Sequence, residues 1–525
     1  MTTRKMPIGV QDFEKLRTKD CVYIDKTAYI YQMTQEVSPY FLGRPRRFGK
    51  SLLLSTIKAY FLGKEELFEG LAIANLEADW LEYPVFHIDL NIAKYDSLEA
   101  LQSGLDANLR YLEDQWGQNT KDNTISTRFY GLIRRTYEKT GKKVVVLIDE
   151  YDRPLVQALD NEALLKTFRS ELKAFYGVLK TADPYLRFVL LTGVTKFSKV
   201  SVFSDLNQLR DISMSKAYSE ICGISEAELI ANFDPELHIL AVQNQMTYEE
   251  ALLEMRKRFN GYHFCENGTG IYNPFSVLNT FADNQFKYYW FQTGTPTFLV
   301  NLLKNADFDI RAFDTGITIN SRSIDDYRTG NSDPTPLLYQ SGYLTIKNYD
   351  RELDEYTLGF PNEEVEYGFL EELLPLYTHK QETDPQGFSI QKFYKDLRDR
   401  DVDGFMARLR AFFADIPYEL NDKTERHYQA LFYITFRLMG QFAQVEVRSA
   451  KGRADIIVTT KDTIYVFEFK LAGNGTVEEA LKQIDEKGYL IPYSAGKLKL
   501  VKVGAEFDPA ERTISRWKFE KTDNP

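Results

Sequence analysis

Arg44-Pro45-Arg46-Arg47-Phe48-Gly49-Lys50-Ser51 follows the apolar Tyr40-Phe41-Leu42 and has the residue types needed to grip phosphate. In such a loop, backbone N–H groups and the dipole of the helix behind it hold phosphate oxygens. Lys50 would reach the β and γ phosphates and Ser51 would hold Mg²⁺, with Leu52-Leu53-Leu54 opening the helix. The general pattern G-x-x-x-x-G-K-[ST] asks for glycine where Arg44 stands; Gly43 comes one place early, and Pro45 removes a donor N–H. Gly49 keeps its expected place before the lysine. Arg46 and Arg47 add phosphate contacts, meet a partner, or are solvated. The plainer reading is a basic turn that caps a helix.

A second segment favours nucleotide. Lys143-Val144-Val145-Val146-Leu147-Ile148-Asp149-Glu150 is an apolar run ending in two acids. Buried parallel strands have that composition, and their carboxyl ends face the ligand crevice. Asp149 would hold Mg²⁺ through water, and Glu150 would orient or activate the attacking water. Solvated acids closing a core strand are the plainer reading. Arg187–Thr192 is a third strand candidate with a polar end, where Thr192 or Thr195 would sense the γ-phosphate or bond its own turn. Arg210 is either an arginine finger or, more simply, half of a surface salt bridge.

Far along the chain, Gly452-Arg453-Ala454-Asp455 and Glu468-Phe469-Lys470 form another group. Metal-dependent phosphodiester cleavage needs carboxylates for a divalent ion, a water beside it and a cation for the developing charge. Glu468 and Lys470 lie two apart in an apolar strand and share a face. If the hairpin turns about Lys461-Asp462, Asp455 lies directly across from Glu468, with Cβ atoms about 4.5–5.5 Å apart. Like charges so placed destabilise a sheet unless a cation joins them. Mg²⁺, or Mn²⁺ in its place, therefore explains the pair better than structure does. The Phe469 carbonyl is a further candidate ligand, and Lys470 would lower the pKa of a metal-bound water. Glu425 would contact the metal directly or through water, and Gln483 with Tyr489 would position phosphate or substrate. A solvated helix face explains each of those three equally well. An edge hairpin with a salt bridge is the plainer reading of Asp455, Glu468 and Lys470.

These side chains need a scaffold, and 525 residues allow roughly three or four domains. Residues 1–37 read as a polar lead-in. Strand candidates Tyr40–Leu42, Val85–Leu90, Val144–Ile148 and Phe188–Thr192 alternate with helical stretches such as Ser51–Phe61 and Leu98–Trp116. That order predicts an α/β fold with a parallel sheet covered on both faces over 1–215. Residues 216–385 read as mostly helical, with short strands near Tyr343–Lys347 and Glu355–Leu358. Asp384-Pro385-Gln386-Gly387 is the linker candidate. Residues 388–525 read as a helical lead (Ile390–Met439), a meander of strands, a helix near Val477–Tyr489 and a strand at Lys497–Val503. Three scattered cysteines with no CxxC pair argue against a zinc knuckle or disulfide framework and fit a reducing cytoplasm. No apolar run is long enough to span a membrane, and the N-terminus lacks a signal-peptide core. The net charge of −11 argues against nonspecific coating of DNA, though a local basic lining or a metal ion can offset substrate charge.

Several strings resemble one family over nearly the whole chain. They are Tyr23-Ile24-Asp25-Lys26-Thr27, the loop at 44–51, Ile148-Asp149-Glu150-Tyr151-Asp152-Arg153-Pro154, Leu191-Thr192-Gly193-Val194-Thr195-Lys196-Phe197, Tyr272-Asn273-Pro274-Phe275-Ser276, Gly452-Arg453-Ala454-Asp455 and Glu468-Phe469-Lys470. The chain resembles bacterial proteins that pair an AAA-ATPase-like domain with a C-terminal PD-(D/E)XK nuclease-superfamily domain; within that family the displaced glycine is usual. The resemblance implies an AAA-like P-loop NTPase fold, a helical lid or middle region and a restriction-endonuclease-like α/β domain. It makes Lys50, Ser51, Asp149 and Glu150 ATP-site residues. Asp455, Glu468 and Lys470 become the nuclease core, with Glu425 and Gln483 as accessories. The expectation is an ATP-regulated, Mg²⁺-dependent nuclease acting on nucleic acid, DNA in particular, and working as a monomer or a homo-oligomer. The alternative is a nucleotide-operated switch whose nuclease fold binds nucleic acid or protein without cutting. Defence against foreign DNA is a guess by analogy.

Overall fold

Strong local signals place the elements that carry the first site. Ser97 and Asn161 cap the helices Leu98–Trp116 and Glu162–Thr181, and Thr124 with Thr127 forms a capping box at Ile125–Thr140. Between them run β1 (Tyr40–Gly43), β2 (Val85–Asp89), β3 (Val144–Asp149), β4 (Leu186–Gly193) and β5 (Arg210–Asp211). The computed structural model describes residues 4–36, 38–196, 208–291, 312–324, 333–378, 390–414, 425–440, 444–447, 455–494, 496–508 and 510–522. By its contacts the chain divides into a first unit, through Glu366, and a second, chiefly Tyr367–Pro525.

In the first unit all five strands pair in parallel, in the order β2-β3-β4-β1-β5. β3 is buried at every position, as its apolar run requires. Val144, Val146 and Ile148 join the core under the three capped helices. Val145 and Leu147 lie on the other face, where helix Lys50–Phe61 packs against β3. The carboxyl ends of β1, β3 and β4 thus meet at one edge of the sheet.

The rest of the first unit is helix with small sheets. β6 (Ile224–Ser225) pairs with β7 (Ile271–Tyr272), next to helices Glu226–Gln243, Tyr248–Phe259 and Pro274–Asp283. β8 (Ile317–Asn320), β9 (Thr345–Asp350) and β10 (Glu355–Gly359) form an antiparallel sheet in the order β8-β10-β9. β8 escaped the sequence reading because its short Ile-Thr-Ile-Asn has little to separate it from a loop.

The second unit begins with helices Ile390–Arg398, Val402–Ala414 and Glu425–Met439. Its sheet comprises β11 (Gln444–Val447), β12 (Ile456–Thr459), β13 (Thr463–Leu471), β14 (Lys499–Asp508) and β15 (Thr513–Thr522), in that order. Helix Val477–Glu486 connects the parallel pair β13 and β14; the other pairs are antiparallel. β14 outruns its expected end at Val503, and β15 was not anticipated. Its alternation of charged and aromatic residues suits an edge strand with one wet face. The linker candidate and Gly452-Arg453-Ala454 lie outside the described residues.

Candidate phosphate cradle and metal centre

β1 ends at Gly43, and Arg44 immediately locks the turn. Arg44 is buried, with Nη1 donating to the carbonyls of Gly43 at 2.8 Å and Ser213 at 2.6 Å. Its Nη2 donates to the Tyr218 carbonyl at 3.0 Å, and the guanidinium lies 4.1 Å from the Phe264 ring centre. The residue that breaks the general loop pattern is therefore a strut.

The loop then curls through two left-handed residues, Arg47 at φ 69° and Gly49 at φ 93°. Gly49 caps helix Lys50–Phe61, and a Cβ placed on it would meet nothing within 4 Å. Among the described residues, the N–H groups of Arg47, Phe48, Gly49, Lys50 and Ser51 find no acceptor. Open space over unsatisfied N–H donors at a helix start is an anion cradle. Lys50, 4% exposed, lies across it. Its Nζ donates to the Arg44 and Pro45 carbonyls at 3.1 and 3.2 Å and is 3.9 Å from Glu150 Oε1. Arg46 is exposed, and Arg47 stacks 3.6 Å from the Phe275 ring centre. Ser51 is half-buried at the second helical position.

The acidic side comes from β3. Asp149 Oδ1 accepts the Thr192 hydroxyl at 2.7 Å and the Glu150 N–H at 3.0 Å. Glu150 sits at φ 53°, where the chain leaves the strand. Two further acids were missed in the sequence. Asp89 ends β2 in register with Asp149. Burial raises its carboxyl above the usual range, and the charges of Asp149 and Glu150 add to the effect. Asp152 is buried and accepts the Thr195 N–H and hydroxyl, both at 2.6 Å. Burial, with Glu150 nearby, pushes its carboxyl up as well. An acid closing an apolar strand was the available signal for Asp89, as it was for Asp149. Each candidate sensor, Thr192 and Thr195, thus donates its hydroxyl to an aspartate. Arg210 lies on β5 in an ion pair with Glu36. Beside Gly49 a cavity of about 100 Å³ opens, lined by Ile24, Leu52, Ile221, Cys222 and Phe233 among others. Together these groups can hold a triphosphate and its cation.

In the second unit, β12 faces β13 with Ile456 opposite Phe467 and Thr459 opposite Ile464. That register places Asp455, one residue before β12, across from Glu468. Asp455 Oδ2 accepts the Phe469 N–H at 2.8 Å. Gly504 is the β14 neighbour of Glu468, and a Cβ there would lie 2.7 Å from the Val477 carbonyl oxygen. The missing side chain lets helix Val477–Glu486 come close and sets Gln483 over Glu468. Gln483 Nε2 donates to Glu468 Oε1 and lies 3.4 Å from the Tyr489 hydroxyl. Lys470 Nζ donates to Gln483 Oε1 at 2.6 Å and to Glu468 Oε1 at 3.2 Å. Glu425 begins helix Glu425–Met439, and its side chain lies outside the description.

Glu468 is 3% exposed, and its Oε2 is buried with no hydrogen-bond partner. Burial and then the Asp455 charge push its carboxyl up to about 7. Burial also raises Asp455. A buried orphan oxygen is costly to leave bare, and a divalent cation is a partner that would lower both carboxyls. Among the described residues no three His, Cys, Asp or Glu side chains cluster as a ready ligand set. The two acids, the Phe469 carbonyl and water would make up the coordination.

Comparison with known proteins finds a family match in each part of the chain. Residues 7–203 match the family described as predicted AAA-ATPase, and residues 423–517 match the PD-(D/E)XK nuclease superfamily. A protein of Azotobacter chroococcum mcd 1, titled "Uncharacterized protein in vnfD 5'region", is 35% identical over 530 residues, covering 98% of each chain. Among solved structures, the Aeropyrum pernix ORC2 protein (ADPNP-ADP complexes) aligns at 9% identity and a TM-score of 0.20, over 66% of this chain and 93% of that one; at that score the likeness carries no argument. No described helix is long and apolar enough to cross a membrane. The chain belongs to the family that joins a predicted AAA-ATPase domain to a C-terminal PD-(D/E)XK nuclease-superfamily domain.

Proposed function

We propose that this protein is an ATP-controlled, divalent-metal-dependent nuclease that cuts nucleic acid, DNA in particular. The observation that carries the reading is the orphaned Glu468 Oε2, buried beside Asp455 and Lys470. A divalent ion bound there supplies an acidified water and charge neutralisation at the phosphate. Asp455 and Glu468 hold that ion, Mg²⁺ or Mn²⁺. Lys470 faces the phosphate, and Gln483 with Tyr489 orients the strand being cut. In 388–525 lysine and arginine slightly outnumber the acids although the whole chain is acidic, which suits a polyanion held at that end.

In the first unit ATP takes the cradle at 46–51, with Lys50 on its phosphates and its base in the cavity beside Gly49. Ser51 and Asp149 hold Mg²⁺, and Glu150 orients water for hydrolysis. The working segments are 1–215 for the nucleotide domain, 216–385 for the middle region and 388–525 for the nuclease domain. The protein acts in the cytoplasm.

The test is cleavage of duplex DNA, single-stranded DNA and RNA with Mg²⁺ or Mn²⁺, with and without ATP. Glu468→Ala and Lys470→Ala should each abolish cutting and leave ATP affinity intact. No cutting of any substrate under any of these conditions would leave the switch that binds without cutting.

A further inference from the structure

Beside the Arg44 strut, two side chains of the phosphate loop, Arg47 and Phe48, pack on other segments of its unit. Arg47 lays its guanidinium over Phe275 at 3.6 Å. Phe48 meets Tyr262 and Phe264 edge-on, with ring centres 4.8 and 5.3 Å apart. Both contacts lead to the head of helix Glu363–Thr378. Phe275 stands at the start of helix Pro274–Asp283, where Asn273 caps its N–H at 2.9 Å. The next residue, Ser276, donates its hydroxyl to Glu364 Oε2 at 2.6 Å. Glu364 Oε1 also accepts the N–H groups of Tyr289 and Trp290, at 2.6 and 3.0 Å. On the Phe48 side, Gly261 leaves no room for a Cβ against the Pro361 carbonyl. Asn362 donates to the Asn260 carbonyl at 2.9 Å and accepts the Val365 N–H at 3.1 Å.

Helix Glu363–Thr378 is thus seated by the two segments that also seat the loop. Its residues through Glu366 belong to the first unit, and from Tyr367 on they belong to the second. Leu374 packs against the second unit's core.

From this geometry we infer that Phe275, Ser276 and Glu364 relay nucleotide occupancy of the cradle to helix Glu363–Thr378. The inference rests on the ATP reading above and names the route of control. A cation over a ring is held less firmly than a cation hydrogen-bonded to phosphate. An arriving triphosphate therefore draws Arg47 off Phe275 and uncovers the head of helix Pro274–Asp283. Ser276 is one residue away and is the only side chain hydrogen-bonded to the Glu364 carboxylate among the described residues. That carboxylate is already pushed up to about 7 by burial. Losing or shifting one of three donors reseats it, and the helix moves with it. Two packed arrangements of one helix suffice to bias a distant site.

Hydrogen–deuterium exchange on the full chain, with and without ATP and Mg²⁺, reads this directly. In the parent, ATP should change exchange in peptides from 363–378 by about fivefold or more. Phe275→Leu and Ser276→Ala should still bind ATP and lose that response, whereas Phe275→Tyr, which keeps a ring under Arg47, should retain it. The relay is overturned if the parent binds ATP and the helix does not respond, or if Phe275→Leu responds like the parent. Loss of ATP binding in both Phe275→Leu and Ser276→Ala would also overturn it, since those side chains would then belong to the cradle. A parent that binds no ATP overturns the nucleotide reading itself.

Discussion

Arg44 shows how far a residue's type is from its role. In sequence it is a misfit at the glycine position of a phosphate loop; in the fold its buried guanidinium satisfies three carbonyls, that of Tyr218 fully buried. Arg44→Gly restores the general pattern yet should weaken the protein. Stranding those carbonyls and removing a packed guanidinium costs about 3 kcal/mol, and a thermal melt should record the loss with no gain in ATP affinity. Glu364 carries a pH signature. Its folded carboxyl, at about 7, lies above its ordinary 4.5, so its share of stability is complete below 4.5 and is lost as pH rises through 7. Denaturant melts should fall by on the order of 2–3 kcal/mol across that window. Glu364→Gln, which has no proton to lose, should flatten that part of the curve. A parent profile that rises from pH 5 to 8 at this site would contradict the assignment. Lys50, Asp149, Asp455 and Glu468 were legible because each closes or opens an apolar run. Asp89 carried the same signal as Asp149 and was not singled out, whereas Asp152 lies past the strand end and is tied to the site by its distant partner Thr195.

At the scale of elements, the metal centre depends on how closely helix Val477–Glu486 approaches the sheet. Gly504 sets that distance, and the helix brings Gln483 to Glu468. Gly504→Val should force the helix outward, destabilise the second unit by about 1–3 kcal/mol and abolish cutting, although no reacting group is changed. Wild-type cleavage by that variant would remove Gln483 from the site. The turn about Lys461-Asp462 was readable from composition, and with it the register of β12 on β13. β15 was harder, because an edge strand with charged residues on one face has no apolar run to announce it.

At the scale of the molecule, two units with separate cores should answer to separate ligands. ATP should raise the melting of the first and Mn²⁺ that of the second, by about 2–4 °C for each kcal/mol of binding free energy. Lys50→Ala should cancel the first shift and spare the second; Glu468→Ala should do the reverse. Calorimetry on the full chain distinguishes these outcomes, and a Lys50→Ala protein with undiminished ATP stabilisation would remove the loop from the nucleotide site. Much of this design was local and therefore written in order along the chain. The loop before its helix, the acid-ended core strand and the hairpin carrying Asp455 and Glu468 each depend on neighbours a few residues away. Folding in three dimensions settled what depends on distant partners. It made Arg44 a strut, gave Thr192 and Thr195 to aspartates, set Arg47 on Phe275 and left Glu468 Oε2 bare in the interior. Periodicity and spacing record which face a residue takes, but only packing brings together atoms that lie far apart in the chain and decides which of them find partners.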